Sequence, residues 1–449
     1  MPKVSAGSAA ARDVPTGFSG DQPAMLVGGE PVEAHSRERC EVRNPATGDV
    51  IAEVPAAGEE DVDRAVAAAK HAFTDGPWPH MDNFERARIL DRFADVLEAN
   101  LEQLYVLETQ NNGRPVVETR AQLARLAEWY RYVNALLMAQ REATLPTTGG
   151  SVAYVQRVPL GVCGLLMPFN HPMLILAQSL AGALAAGNTV VIKPSELTPL
   201  TTLALGEFAL EAGIPPGVVN VVTGFGRPAG EAIAAHPDVA KVNFTGGEEG
   251  GGRVAELASR RFARVVIESG GKTPVIVFDD ASLDDAVNGA AFAGFIAAGQ
   301  TCIAGSRLLV QESIYDEFVS RLTRKAESIR LGDPSDETTQ LGPVVAEHRR
   351  RSVLECVALG QPVGARLVTG GGVPDLPPPL DRGYFVEPTL FADVDNRMRI
   401  AQEEIFGPVL VAVPFVDEED AIAKANDSRY ALGAAVWTKD TSRSHRVAS

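Results

Sequence analysis

Apolar residues recur at helical spacing in the first third of the chain, then gather into short unbroken runs. Val62, Val66, Ala69 and Phe73 predict a helix over Glu59 to Phe73. Phe84, Ile89, Leu90, Phe93, Leu97, Leu101 and Leu104 form one stripe, which predicts a helix over Asn83 to Leu107. Asn112-Gly113 stops it, and a further helix is expected over Val116 to Arg141, with Trp129, Tyr130 and Tyr132 as core or wall residues. Asn44-Pro45-Ala46-Thr47-Gly48 predicts a turn between two short strands.

From Val152 the pattern changes to strand, first over Val152 to Val155 and then over Val162 to Met167. An alternation follows: helix Pro172 to Ala186, strand Thr189 to Ile192, helix Pro199 to Glu211, strand Val218 to Val222, helix Arg227 to Ala235, strand Lys241 to Phe244, helix Glu249 to Ala258 and strand Arg264 to Ile267. Strands that alternate with helices imply a parallel sheet covered by helices, with ligands at the carboxyl ends of the strands. Asn170, Lys193, Gly246 and Glu268 each follow a predicted strand. A second alternating block begins at Thr273, which places a domain boundary near Gly270-Gly271 and the site in the cleft between blocks. The fold expected is α/β with two parallel-sheet domains.

Composition narrows the classes. The chain has 449 residues, 45% hydrophobic and 22% charged, a globular composition long enough for two or three domains. The net charge of −17 argues against a nucleic-acid or anionic-membrane partner. Pro172 to Ile192 is the most apolar stretch, but Gln178, Ser179, Gly187 and Asn188 interrupt it, so a buried helix and strand are expected rather than a membrane span. Residues 1–20 read as a flexible tail without the apolar core of a signal peptide. Cys40, Cys163, Cys302 and Cys356 show neither metal-ligand nor disulfide-framework spacing, and this points to a reducing, cytoplasmic compartment.

Candidate chemistry centres on Cys302, in Gly299-Gln300-Thr301-Cys302, between a helix ending near Ile296 and the strand Leu308 to Val310. Backbone N–H groups left free in such a break favour a thiolate or a nearby oxyanion, although a lone cysteine can equally be a small buried apolar residue. Glu268, at a strand end before Gly270-Gly271, is either a surface carboxylate or a desolvated base whose pKa burial would raise. Asn170 reads as a helix cap or as an amide donor. Lys193 and Glu196 form a solvated corner or a clamp for a ribose diol. The glycines from Gly246 to Gly252 lie between strand and helix, where a diphosphate could approach, without the G-x-G-x-x-G spacing.

Taken in order with Glu403-Glu404-Ile405-Phe406-Gly407-Pro408, these segments resemble the NAD(P)-dependent aldehyde dehydrogenase superfamily from about Asn44 to Trp437. The resemblance implies a Rossmann-like cofactor domain over 21–269, with a strand arm at about 144–158 toward oligomerisation, and a catalytic domain over 270–449. It implies Cys302 as nucleophile, Asn170 with the Cys302 N–H as oxyanion hole and Glu268 as the base for deacylation. Lys193 and Glu196 would hold the adenosine ribose, Gly246 and Gly251 would underlie the diphosphate, and Glu404, Phe406 and Pro168 would contact the cofactor. Ile175, Gln178, Thr301 and Ile303, with His171 and Ile296, would line the substrate tunnel, which lacks an aromatic cage for a quaternary ammonium.

The cofactor expected is NAD, with NADP possible, because a carboxylate at Glu196 would repel a 2′-phosphate. The partners expected are a small aldehyde, aliphatic or aromatic, and a homodimer or homotetramer. A glutamate at position 268 favours acid as product. A CoA-acylating semialdehyde dehydrogenase and a truncated, non-catalytic cofactor binder are the alternatives. Gly247, where many relatives carry Ser, and the acidic Glu248 depart from the family pattern. A Pro-Phe-Gly-Gly segment and the C-terminal oligomerisation strand do not appear before Ser449, so a short member or a fragment is expected.

Overall fold

Two sheets organise the chain; the computed structural model describes residues 22–449, and the predicted tail lies outside the described residues. The first sheet has seven strands in the order Arg264–Glu268, Val239–Thr245, Val162–Leu166, Thr189–Lys193, Val219–Val221, Met25–Val27 and Glu30–Val32. The first five are parallel and the last two antiparallel. Val162–Leu166 and Thr189–Lys193 are buried throughout, as expected for strands covered on both faces. From Val162–Leu166 the chain steps outward through two strands on one side, then returns to build two on the other. The crevice at this reversal, beyond the carboxyl ends, is where open α/β sheets bind ligands.

The second sheet has six strands in the order Arg366–Thr369, Thr389–Ala392, Val409–Phe415, Arg307–Gln311, Pro274–Val277 and Ala435–Trp437. All pair in parallel except the first. Its core includes Val275, Val277, Leu308, Leu410 and Phe415 and is separate from the two apolar clusters of the first sheet. The terminal nitrogens of the fully buried Arg307 donate to the carbonyls of Lys424 and Ala425 and to Asn396 Oδ1, while its Nε has no partner among the described residues.

The antiparallel pair Arg39–Arg43 and Val50–Pro55 flanks the predicted Asn44 to Gly48 turn. Two long helices expected from sequence are each broken. Asn83–Ala99 and Leu101–Asn112 meet at Asn100, whose backbone leaves the helical region and whose amide donates to the Val96 carbonyl. Phe84 stands 60% exposed, off the buried stripe. Val116–Leu123 and Leu126–Met138 replace the single helix predicted over Val116 to Arg141. Tyr130 packs edge-on against Phe93 in the core, whereas Tyr132 is exposed. The strand arm is a hairpin, Ala143–Leu145 with Ala153–Val155, largely exposed.

Candidate active site

The strand ends of the first sheet and the segments leading into the second sheet line one cavity of about 560 Å³. Its wall brings together Pro168, Asn170, Lys193, Glu196, Gly246, Glu268, Cys302, Glu404 and Phe406. Gly251, Ile175, Gln178, Thr301 and Ile303 do not line it. Gly251 is buried, and a Cβ there would press on Ile267 and Ser269. Its missing side chain therefore lets the helix Glu248–Ser259 seat against the edge strand, while Gly246, Gly247 and Gly250 face the cavity. Gln178 is exposed, Ile175 and Thr301 are half-buried and Ile303 is 56% exposed.

A strained turn presents Cys302. The helix Leu283–Phe295 ends, and Ala297, Ala298 and Gly299 follow with φ of 51°, 54° and 72°. Left-handed backbone costs a non-glycine residue on the order of 1–2 kcal/mol, so the surroundings must hold it. The Ala297 N–H donates to Glu118 Oε2 at 3.0 Å, and the Ala297 carbonyl accepts from Gln300 N and Gln300 Nε2. Gln300 is buried, and its Oε1 accepts from the Val345 N–H. A Cβ on Gly299 would overlap the Gly407 carbonyl, so glycine is required by both conformation and contact.

The half-buried thiol of Cys302 is pushed above the ordinary thiol range, chiefly by burial. The N–H groups of Ile303 and of Cys302 itself oppose this, and the carboxylates of Glu404 and Glu268 add to it. Neither N–H serves a backbone carbonyl among the described residues. Asn170 is buried, and its Nδ2 donates one hydrogen to the Gln300 carbonyl at 2.8 Å; among the described residues its second hydrogen has no partner. The thiol and the Asn170 amide share the cavity wall, with the Cys302 and Ile303 N–H groups directed at the sulfur, an arrangement able to hold an oxyanion.

Glu268 ends the edge strand, with Thr245 as its register partner and its carbonyl held by the Gly246 N–H. Its side chain is exposed, not buried as one of the two sequence readings had it. An edge strand has a neighbour on one side only, and Val265 and Val266 are exposed with it.

Glu404 is half-buried; burial raises its pKa, while the Gly271 N–H, bonded at 3.1 Å, and Lys272 and Arg349 oppose the rise. A Cβ on Gly270 would overlap the Glu404 carboxylate. Phe406 packs edge-on against Phe169, and the Arg349 guanidinium lies 5.7 Å from its ring centre. Lys193 is buried; it donates to the Pro194 carbonyl and lies 3.9 Å from Glu196. Burial lowers its pKa, against the pull of Glu196.

Arg349, Arg253 and Glu118 went unnoticed in sequence. Arg349 sits in a run of arginines that reads as a solvated helix face, and only packing turns it toward the cavity. Glu248 pairs with Arg429 of the other sheet's unit at 3.0 Å, so the extra negative charge near the glycine turn is balanced.

A model of the aldehyde dehydrogenase family matches residues 32–449, and the chain belongs to that family. It is 45% identical over 425 residues to a mitochondrial aldehyde dehydrogenase of Homo sapiens, a match covering 94% of this chain and 81% of the relative. A phenylacetaldehyde dehydrogenase of Pseudomonas fluorescens is 43% identical, with 94% and 85% covered. The NAD+ complex of an aldehyde dehydrogenase from Bacillus cereus superposes with a TM-score of 0.92 at 39% identity, covering 95% of this chain and 86% of that one.

Proposed function

We propose that this chain oxidises an aldehyde to its carboxylic acid with NAD, through a thioester on Cys302. One observation carries this: the cavity that receives the Cys302 thiol, its donors and Glu268 also holds donors and acceptors suited to a dinucleotide. Carboxylates at Glu196 and Glu404 can accept from two ribose diols, with Lys193 beside the first. The glycine turn at the N-terminus of the helix Glu248–Ser259 suits a diphosphate. The glycines admit it without side-chain contact, and the absence of a hydroxyl at Gly247 leaves that task to backbone N–H groups. Glu196 disfavours a 2′-phosphate, so NAD is preferred over NADP.

Cys302 Sγ bonds to the aldehyde carbon, and its proton passes to Glu268 or to water. The Asn170 amide and the Cys302 N–H stabilise the oxyanion of the thiohemiacetal. Bound NAD supplies the acceptor for the hydride that leaves this carbon as the thioester forms. Glu268 then takes a proton from the attacking water, the C–S bond breaks and the acid departs. An exposed carboxylate passes that proton on to bulk water readily.

In this proposal the unit of the seven-stranded sheet is the cofactor domain and that of the six-stranded sheet the catalytic domain, divided between Glu268 and Pro274. The exposed apolar residues of the arm hairpin, among them Leu145, Tyr154 and Val155, support a homodimer or homotetramer. Four cysteines without disulfide partners support a cytoplasmic setting. Among the described residues, no helix is long and apolar enough to cross a membrane, and no His, Cys, Asp and Glu group is arranged to hold a metal ion.

The test is NADH formation by the purified chain over a panel of aliphatic and aromatic aldehydes, with and without CoA. Turnover indifferent to CoA, and lowered in Cys302→Ala by at least roughly 10⁴-fold, is expected. Activity that survives the substitution would refute the thioester route.

A further inference from the structure

Three charged side chains behind the cavity tie two of its turns together. Glu108 lies in the helix Leu101–Asn112, Glu118 in the helix Val116–Leu123, and Arg114 in the break between them. The break is tightly seated. Gly113 has a φ of 81°, and a Cβ there would press on Pro45 and Pro343. Glu108 and Arg114 are buried, and the Glu118 side chain is 17% exposed. None of the three lines the cavity. Arg114 Nη1 donates to Glu108 Oε1 at 3.2 Å, and Arg114 Nε lies 3.7 Å from Glu118 Oε2. One cation thus lies between two carboxylates. Burial pushes Glu108 up to about 7 and raises Glu118, and the Arg114 charge opposes both shifts.

The cluster reaches both turns that carry the proposed chemistry. Glu118 Oε2 accepts from the Ala297 N–H at 3.0 Å, in the left-handed run that leads to Cys302. Glu108 Oε2 accepts from the Met173 N–H at 3.4 Å, three residues beyond Asn170. Asn112 adds a further tie: its Nδ2 donates to the Asn170 carbonyl at 3.3 Å, and its Oδ1 accepts from the Arg114 N–H at 3.0 Å. On the cavity side the Asn170 amide closes the ring on the Gln300 carbonyl at 2.8 Å.

We propose that Glu118, fixed in place by Arg114 and Glu108, is a positioning residue that sets the Cys302 turn against the Asn170 turn. This rests on the proposed oxidation at Cys302 and adds to it a group of residues that touches neither substrate nor cofactor. The physical reason lies in Ala297, which is buried and left-handed. Without Glu118 its N–H would be a buried donor with no acceptor, and a turn already strained at two alanines would relax to find one. Cys302 would move with the turn, while Asn170 would stay on its own. What the turn requires at this point is an acceptor at the right reach, and the ion cluster holds that acceptor still.

The experiment reads the single-turnover rate constant of NADH formation, with enzyme in excess over aldehyde and NAD saturating. A rate constant does not depend on how much of the chain is folded. NAD affinity is measured beside it by titration. Glu118→Ala should lower the rate constant about 10- to 100-fold, the effect of a small misplacement of reacting groups, and leave NAD affinity unchanged. Glu118→Gln, which keeps an acceptor oxygen at the same reach, should restore most of the rate. Glu118→Asp, which keeps the charge but draws the acceptor back, should not. In an Asn170→Ala background the loss caused by Glu118→Ala should shrink, because both changes act on one oxyanion contact. A rate constant unmoved by Glu118→Ala overturns the inference, as does a Glu118→Gln variant as slow as Glu118→Ala. NAD affinity that falls in step with the rate, or losses that multiply fully with Asn170→Ala, overturn the positioning role. Absence of NADH from the parent chain with every aldehyde removes the oxidation at Cys302 itself and this inference with it.

Discussion

Gly270→Ala adds one methyl group and tests the placement of Glu404. The new Cβ would overlap the Glu404 carboxylate, the far end of a flexible side chain rather than backbone. The fold can therefore accommodate the change by letting that side chain swing away, and the melting temperature should move little. The displaced carboxylate loses its bond to the Gly271 N–H, 3.1 Å long, which holds it at the cavity wall. If Glu404 grips a cofactor hydroxyl, one charge-assisted hydrogen bond is lost, about 1.5–3 kcal/mol. That corresponds to about 10- to 150-fold weaker NAD binding. Isothermal titration with NAD measures it directly, for the parent chain, Gly270→Ala, Glu404→Ala and the double variant. The effect of the glycine substitution should nearly vanish once Glu404 is already absent, since both changes act on one contact. Equal affinity in Gly270→Ala and the parent would refute the placement, and additive losses would show that the methyl acts elsewhere.

Further consequences follow from the same geometry. Burial raises the Cys302 thiol pKa, so its thiolate fraction at neutral pH is below that of a free cysteine. Alkylation of Cys302 by iodoacetamide should accordingly rise with pH to a midpoint above the free-thiol value of about 8.5, and a midpoint below it would contradict the burial seen here. Asn170→Ala should lower kcat about 100- to 1000-fold with NAD affinity retained, whereas a loss of affinity at constant kcat would remove the oxyanion role. Arg429→Ala removes the cation that balances Glu248 beside the glycine turn. Because both side chains are substantially exposed, the melting temperature should move little. NAD should nevertheless bind a few-fold more weakly at low salt, an effect that about 0.5 M salt erases if it is electrostatic.

Much of the frame was legible in the sequence because it is local. The strands Val162–Leu166 and Thr189–Lys193 are continuous apolar runs, and strands covered on both faces read that way whatever surrounds them. Asn170, Lys193, Gly246 and Glu268 come directly after such runs, so their place at one edge of a parallel sheet follows from chain order. The breaks at Asn100 and between Leu123 and Leu126 escaped because apolar spacing continues across them and a one-residue departure leaves no periodic trace. Gly251 was placed under the diphosphate from its motif, and the cavity is bounded by Gly246, Gly247 and Gly250 instead.

By itself, then, the sequence determined the order of strands and helices, the family and the residue types that reach the cleft, since these depend on short-range patterns of burial and chain direction. Only the tertiary structure decided how those residues are held. Glu118 meets the Ala297 N–H across 179 positions, and His171 meets Thr301 across 130. The exposure of Glu268 depends on what packs over the end of its strand, which the order of strands does not fix. A hydrogen bond between distant segments imposes no periodicity on either, so its partners become visible only once packing has brought them within 3 Å or so of each other.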